Sequence, residues 1–145
     1  MLMKPLSKIF VLCCSLAAVC ALADDKDKAP IDPKLLPPAS TKTGVTYAAD
    51  IQPILEKSCY PCHSAKNPKP KGKLKLDTLD DVLKGGEDGP ALVAGDSAKS
   101  AMVAMVSHVG DPDDFMPPPK NRDHIQPLTK DQIGLIRAWI DQGAK

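Results

Sequence analysis

The sequence predicts an all-α fold, a small domain of short helices joined by loops rich in proline and glycine. From residue 46 onward, apolar residues recur at helical spacing, and no stretch alternates between apolar and polar residues as a strand would. The chain carries 15 prolines and 9 glycines, which favour loops between the helices. With 145 residues it can form one domain of ordinary size, which excludes a large or multidomain enzyme.

The N-terminal segment has the pattern of a secretory signal. Residues 9–23 are uncharged and mostly apolar, follow two lysines, and end in Ala21-Leu22-Ala23. This predicts a signal peptide over residues 1–23, cleaved after Ala23, and therefore a periplasmic or otherwise exported protein. A retained anchor is the alternative, although a membrane-spanning helix needs about 18 or more apolar residues. Lipid attachment at Cys20 is disfavoured, because a bulky valine precedes it.

The segment that follows is predicted to be a linker. Residues 24–45 hold four prolines among charged and hydroxyl side chains and few large apolar ones. Such a composition buries too little apolar area to offset the entropy of ordering, so we expect a disordered tether. The folded domain is then residues 46–145.

Helical spacing marks four helices in this domain. Ile51, Ile54 and Leu55 share one face of the first, with Asp50 as its cap and Pro53 in its first turn, where the missing N–H is tolerated. The second contains Leu79, Val82 and Leu83, opens at Asp77 or Thr78 and stops at the Gly85-Gly86 pair.

The third helix is predicted from about Ser97 to His108. The last has the clearest signals, because Thr129 with Gln132 three residues later fits a capping box and Gly143 ends the apolar periodicity.

The composition limits both the partners and the core. The formal net charge is only +1 and no basic stretch is interleaved with aromatic residues, which argues against nucleic acid as a partner. Aromatic residues make up only 3% of the chain. A small domain with so little apolar volume usually needs disulfides, a metal or a bound group to hold it together.

One motif predicts that the domain contains such a bound group. Three of the five cysteines lie in the predicted signal peptide, and the other two belong to Cys59-Tyr60-Pro61-Cys62-His63. This is C-x-x-C-H, the attachment sequence for c-type haem. The two thiols, one helical turn apart, can add to the two vinyl groups of a porphyrin, and His63 can then bind the iron as proximal ligand. The motif predicts one covalently attached haem c.

Other readings of the two cysteines remain open at this point. A thioredoxin-like redox pair would sit in a βαβ context, which this sequence lacks. Cys59 and Cys62 could instead form a structural zinc site with His108 and His124, or a short-range disulfide.

The second axial position of the iron has five candidates. Met116 is favoured because it precedes Pro117, Pro118 and Pro119, whose fixed φ angles make a stiff strap that holds a thioether at little entropic cost. The other four candidates fit different roles. Met102 and Met105 have the helical spacing of core residues, His108 lies at a helix end, and His124 lies in a polar loop.

Five lysines follow the haem motif closely. They are Lys66, Lys69, Lys71, Lys73 and Lys75. These lysines belong either to a solvated loop or to a docking patch for acidic redox proteins.

These motifs together resemble a known family. Residues 47–144 are similar to a small class I-type cytochrome c domain, and most of all to the planctomycete-type cytochromes c. The matching stretches are residues 50–55, the C-x-x-C-H motif, residues 72–77, 85–86 and 95–96, Met116-Pro117-Pro118, residues 128–129 and residues 139–144. The resemblance implies a fold whose first and last helices cross, thioethers at Cys59 and Cys62, axial ligation by His63 and Met116, and electron transfer.

We therefore expect an exported mono-haem c-type cytochrome that carries electrons between redox proteins and is not an enzyme. It would have no stable membrane span after processing. One alternative is a peroxidase-like or gas-binding haem protein with a labile sixth ligand, and another is a haem-containing docking module of a larger oxidoreductase.

Overall fold

The computed structural model describes residues 31–145, so the predicted signal peptide lies outside the described residues. Within 31–145 the chain forms helices and turns with no strand, which confirms the all-α prediction. No helix in this part of the chain is both long and apolar enough to cross a bilayer. The α-helices are α1 (Gln52–Ser58), α2 (Leu79–Lys84), α3 (Ala101–Val106) and α4 (Lys130–Asp141).

The first helical segment begins earlier than predicted. Thr46, rather than Asp50, is its cap, and the Thr46 hydroxyl accepts a hydrogen bond from the Ala49 N–H at 3.4 Å. The Asp50 carboxylate returns the interaction by accepting the Thr46 N–H at 2.9 Å. A π-helical turn, Tyr47–Ile51, precedes α1 and places Pro53 in the first turn of that helix. Because proline has no N–H for the carbonyl four residues back, a widened turn ahead of it keeps the segment helical.

The middle helices follow the prediction in part. Thr78 caps α2, and Gly85 ends it with a φ of 78°. The predicted third helix is divided into a 3₁₀ turn, Ser97–Lys99, and α3, because Ser100 between them is extended. The Ser100 hydroxyl accepts from the Val93 N–H and donates to the Asp96 carbonyl, both at 2.9 Å. These bonds to the preceding loop replace helical ones.

Helix α4 forms the centre of the core. Its capping box is confirmed, since the Gln132 N–H donates to the Thr129 hydroxyl and the Gln132 side chain accepts from the Thr129 N–H. Trp139 is the largest fully buried side chain, and its ring centroid lies 6.0 Å from that of Tyr47. This contact joins the start of the domain to its end.

The segment ahead of the domain differs from the disordered linker predicted for residues 24–45. Its described part lies along α4, with Leu36 and Val45 buried. The Ser40 N–H donates to the Gly134 carbonyl at 2.8 Å, and the Arg137 guanidinium donates to the Pro37 carbonyl. Average composition does not predict that this segment is ordered, because two buried apolar side chains and a few hydrogen bonds are enough to hold it against α4.

Gly134 permits this close approach. A Cβ atom built there would meet the Pro38 carbonyl oxygen at 2.7 Å. Glycine to alanine normally stabilises a helix by about 1 kcal/mol, but here we expect Gly134→Ala to lower the free energy of unfolding by about 1–3 kcal/mol through overpacking. Thermal unfolding measures the change, with Lys130→Ala, exposed on the same helix, as control. A stabilised Gly134→Ala variant would show that residues 37–40 do not lie against α4.

Candidate functional site

An apolar cavity of about 290 Å³ lies between the C-terminal end of α1 and the loops that follow α3. Four sequence-predicted site residues line it: Cys59, Cys62, His63 and Met116. The rest of the lining is mainly apolar or backbone and consists of Ser58, Lys71, Val106, Pro117, Pro118, Asn121, Ile125 and Leu128. Residues that are 57 positions apart in the chain thus share one cavity.

The end of α1 sets the spacing of the two cysteines. Cys59 is the C-cap residue, and its N–H donates to the Leu55 carbonyl at 2.7 Å. The Cys59 carbonyl then accepts the N–H groups of Cys62 at 3.1 Å and His63 at 2.8 Å, which closes a turn around the motif. Both cysteines are free thiols, and burial raises the pKa of the Cys59 thiol to about 12.

His63 is held in a form that suits a metal ligand. Its Nδ1 lies 3.1 Å from the Lys71 carbonyl oxygen, which can only accept, so Nδ1 carries the proton and Nε2 keeps its lone pair. Burial lowers the pKa of the imidazole, against the hydrogen bonds to the backbone of Lys71 and Leu74, which raise it. The neutral ring is the form that binds a metal.

Asp77 anchors the loop behind the motif, a role that sequence reasoning did not assign to it. Its carboxylate accepts the Ser64 hydroxyl and the Ala65 N–H, both at 2.6 Å. Partial burial raises the pKa of the Asp77 carboxyl, but the hydrogen bonds from Ser64 and Ala65 outweigh it and hold the pKa below its usual value. The neighbouring Leu76 N–H donates to the His63 carbonyl at 3.0 Å. The hydrogen bonds of Leu76 and Asp77 therefore fix the backbone of His63 and the two residues that follow it.

Asp77→Asn is expected to cost about 1–3 kcal/mol of unfolding free energy at pH 7, since hydrogen bonds to a charged group are lost. Because folding lowers the pKa of this carboxyl, its contribution is present at neutral pH and is lost as the pH falls through the folded-state value. The difference between wild type and variant, measured by thermal unfolding, should shrink below about pH 4. Asp80→Asn, at an exposed position in α2, is the control. An equal difference at every pH would contradict this account.

Met116 reaches the cavity from the loop after α3. Its N–H donates to the Met105 carbonyl at 3.0 Å, and the following prolines form part of the cavity wall. The four other ligand candidates do not line the cavity: Met102 is buried in the core, Met105 is partly buried, His108 stacks on Phe115, and His124 is exposed.

Asn121 also lines the cavity, and sequence analysis did not single it out. Its side chain donates to the carbonyls of Pro118 at 3.0 Å and Ile125 at 2.9 Å and accepts the Ile125 N–H at 2.7 Å. Asn121 thereby folds residues 118–125 into a loop. A second cavity, of about 640 Å³ and lined in part by His124, lies on this loop.

The donor set and the cavity fit a covalently held porphyrin. Two thiols, one imidazole and one thioether converge on a mainly apolar space, and soft sulfur with imidazole is a common axial pair for haem iron. Neither His108 nor His124 joins Cys59 and Cys62 there, and no group of three potential metal-binding side chains occurs within residues 31–145. The zinc interpretation therefore has no support in the described part of the chain.

One comparison with known proteins, the match to a family profile, agrees with this assignment. The sequence profile of the planctomycete cytochrome C family matches residues 59–120, which hold the C-x-x-C-H motif, Met116 and the prolines after it. No curated protein matches the chain. A solved structure, Kuenenia stuttgartiensis hydrazine synthase, is similar at a TM-score of 0.43 and 24% identity. That match covers 69% of this chain and 16% of the other, so this chain spans about one sixth of its length.

Proposed function

We propose that this chain is an exported mono-haem cytochrome that transfers electrons, and the match of residues 59–120 to the planctomycete cytochrome C family supports the proposal. The single observation that carries the proposal is the convergence of Cys59, Cys62, His63 and Met116 on one mainly apolar cavity. The predicted signal peptide supports export, since c-type haem is attached outside the cytoplasm.

Each of the four residues has a role in this proposal. Haem c, when bound, supplies a one-electron couple between ferric and ferrous iron. Cys59 and Cys62 would hold the porphyrin through two thioethers, each the product of adding an S–H across a vinyl group with no atom lost. His63, oriented by the Lys71 carbonyl, would bind the iron through Nε2, and Met116 would bind it through sulfur.

Electron transfer suits this cavity better than peroxide chemistry does. A haem peroxidase needs an acid–base group beside the sixth position to move protons. Apart from His63, the cavity lining contains no histidine, aspartate or glutamate. Apolar walls favour a change of iron charge with little solvent rearrangement, and a thioether ligand raises the reduction potential.

An absorption spectrum of the denatured protein in alkaline pyridine tests the proposal. We expect the haemochrome bands of haem c, at one haem per chain, and rapid reduction of the native protein by small donors without peroxide turnover. A spectrum without c-type bands would overturn haem attachment. Peroxide turnover or carbon monoxide binding by the native ferrous protein would favour the enzymatic or gas-binding alternative.

We propose that the five lysines near the motif dock an acidic redox protein. All five are exposed, and Lys71 also belongs to the wall of the cavity. Reversing Lys66 and Lys69 to glutamate is expected to slow electron transfer to an acidic partner about tenfold or more at low salt, and to weaken its salt dependence. Stopped-flow kinetics at several ionic strengths measure both effects, with Lys130→Glu on α4 as control. Unchanged rates would reject the docking patch.

A further inference from the structure

The loop that carries Met116 is closed on the last turn of α3. The Met105 carbonyl accepts hydrogen bonds from the His108 N–H at 3.2 Å and from the Met116 N–H at 3.0 Å. The Val109 N–H donates to the Ala104 carbonyl at 3.0 Å. The two ends of the loop, residues 107–116, therefore meet at one carbonyl of the helix. Within the loop, the Phe115 N–H donates to the Pro112 carbonyl at 3.3 Å, and side-chain contacts add further restraint.

An aromatic stack supplies that restraint. The imidazole of His108 and the ring of Phe115 are parallel to within 2°, with centroids 4.6 Å apart. His108 has a φ of 53°, in the left-handed region that side chains rarely adopt. Phe115 immediately precedes Met116, so the stack fixes the residue next to the proposed ligand. Neither ring lines the cavity, whereas Val106 and Met116 do.

The contribution of His108 comes from its ring face. Its Nε2 atom is fully enclosed and finds no hydrogen-bond partner among residues 31–145. An enclosed polar atom without a partner lowers stability, so this nitrogen does not explain the contact. A phenylalanine ring could form the same stack and remove the unpaired atom.

We propose that the His108–Phe115 stack clamps Met116 against the haem iron and slows its displacement by external ligands. The inference rests on the proposed role of Met116. An external ligand binds only after the thioether has left the iron, and the thioether moves with the loop that carries it. His108 is thus a positioning residue, acting on the ligand through Phe115.

Imidazole binding to the ferric holoprotein, followed by stopped-flow absorption, tests the clamp. His108→Ala is expected to increase both the rate and the extent of imidazole binding about two- to tenfold, the range that corresponds to loss of an aromatic pair. His108→Phe keeps the stack and should stay within about twofold of wild type, with its far-red sulfur-to-iron band intact. His124→Ala is the matched control, since His124 also has a φ of 53° but is exposed outside the cavity.

Phe115→Leu removes the stack from its other side and should repeat the effect of His108→Ala. Wild-type imidazole kinetics in either His108→Ala or Phe115→Leu would overturn the clamp, as would a His108→Phe variant that behaves like His108→Ala. Failure of the proposed function is seen separately, as an absent c-type haemochrome or as a Met116→Ala variant that keeps its far-red band.

Discussion

Replacing both Cys59 and Cys62 with serine is expected to abolish covalent haem attachment completely. Each thioether needs a sulfur nucleophile, and a serine hydroxyl does not add to a vinyl group. Haem staining of a denaturing gel and the intact mass of the chain measure the loss. Either single replacement should leave one thioether and an altered haemochrome spectrum.

Pro61→Ala is the control for the double variant. Pro61 occupies a variable position of the same motif and is exposed, so its replacement should leave attachment intact. Without the haem, nothing fills the cavity of about 290 Å³, and we therefore expect the double variant to unfold with reduced cooperativity. Covalent haem in the double variant would contradict the assignment of both cysteines.

Met116→Ala is expected to have the largest effect on the redox chemistry. Loss of the soft sulfur ligand should remove the far-red band and lower the reduction potential by on the order of 100 mV, within the range of about 0.8 V that axial ligands set. The opened sixth position should also allow the ferrous protein to bind carbon monoxide. Spectroelectrochemical titration and carbon monoxide difference spectra measure these changes.

Met102→Leu is the matched control for Met116→Ala. Met102 is buried in the core and does not line the cavity. A volume-conserving replacement there should cost less than about 1.5 kcal/mol of stability and leave band and potential unchanged. The opposite pattern, with the band lost in Met102→Leu and kept in Met116→Ala, would show that Met102, and not Met116, binds the iron.

The features that could be predicted from sequence depend on neighbours along the chain. The capping box of α4 joins residues three positions apart, and the turn of the C-x-x-C-H motif spans five. Pro53 in α1 and the prolines after Met116 restrict the backbone through their own fixed φ angles. Such interactions depend little on tertiary context, and so the capping box of α4 and the proximity of Cys59, Cys62 and His63 could be predicted from the sequence.

Sequence reasoning missed the features that depend on distant partners. Asp77 meets Ser64 across 13 positions, and Gly134 meets Pro38 across 96. Nothing in the local sequence distinguishes Asp77 from the exposed Asp80, or shows that a strap crosses α4 at Gly134. The early start of the first helical segment was missed because the Thr46–Asp50 pair and a widened turn together offset Pro53.

The sequence by itself determined the fold class and the chemical groups on which the proposed function depends: a helical domain, two thiols in a C-x-x-C-H motif, an adjoining imidazole and a methionine beside a proline strap. Only the tertiary structure decided which of five candidate ligands shares the cavity with those thiols. The reason is that ligand identity is a local chemical property, whereas convergence depends on loops whose ends are held by α3, by Asp77 and by Asn121.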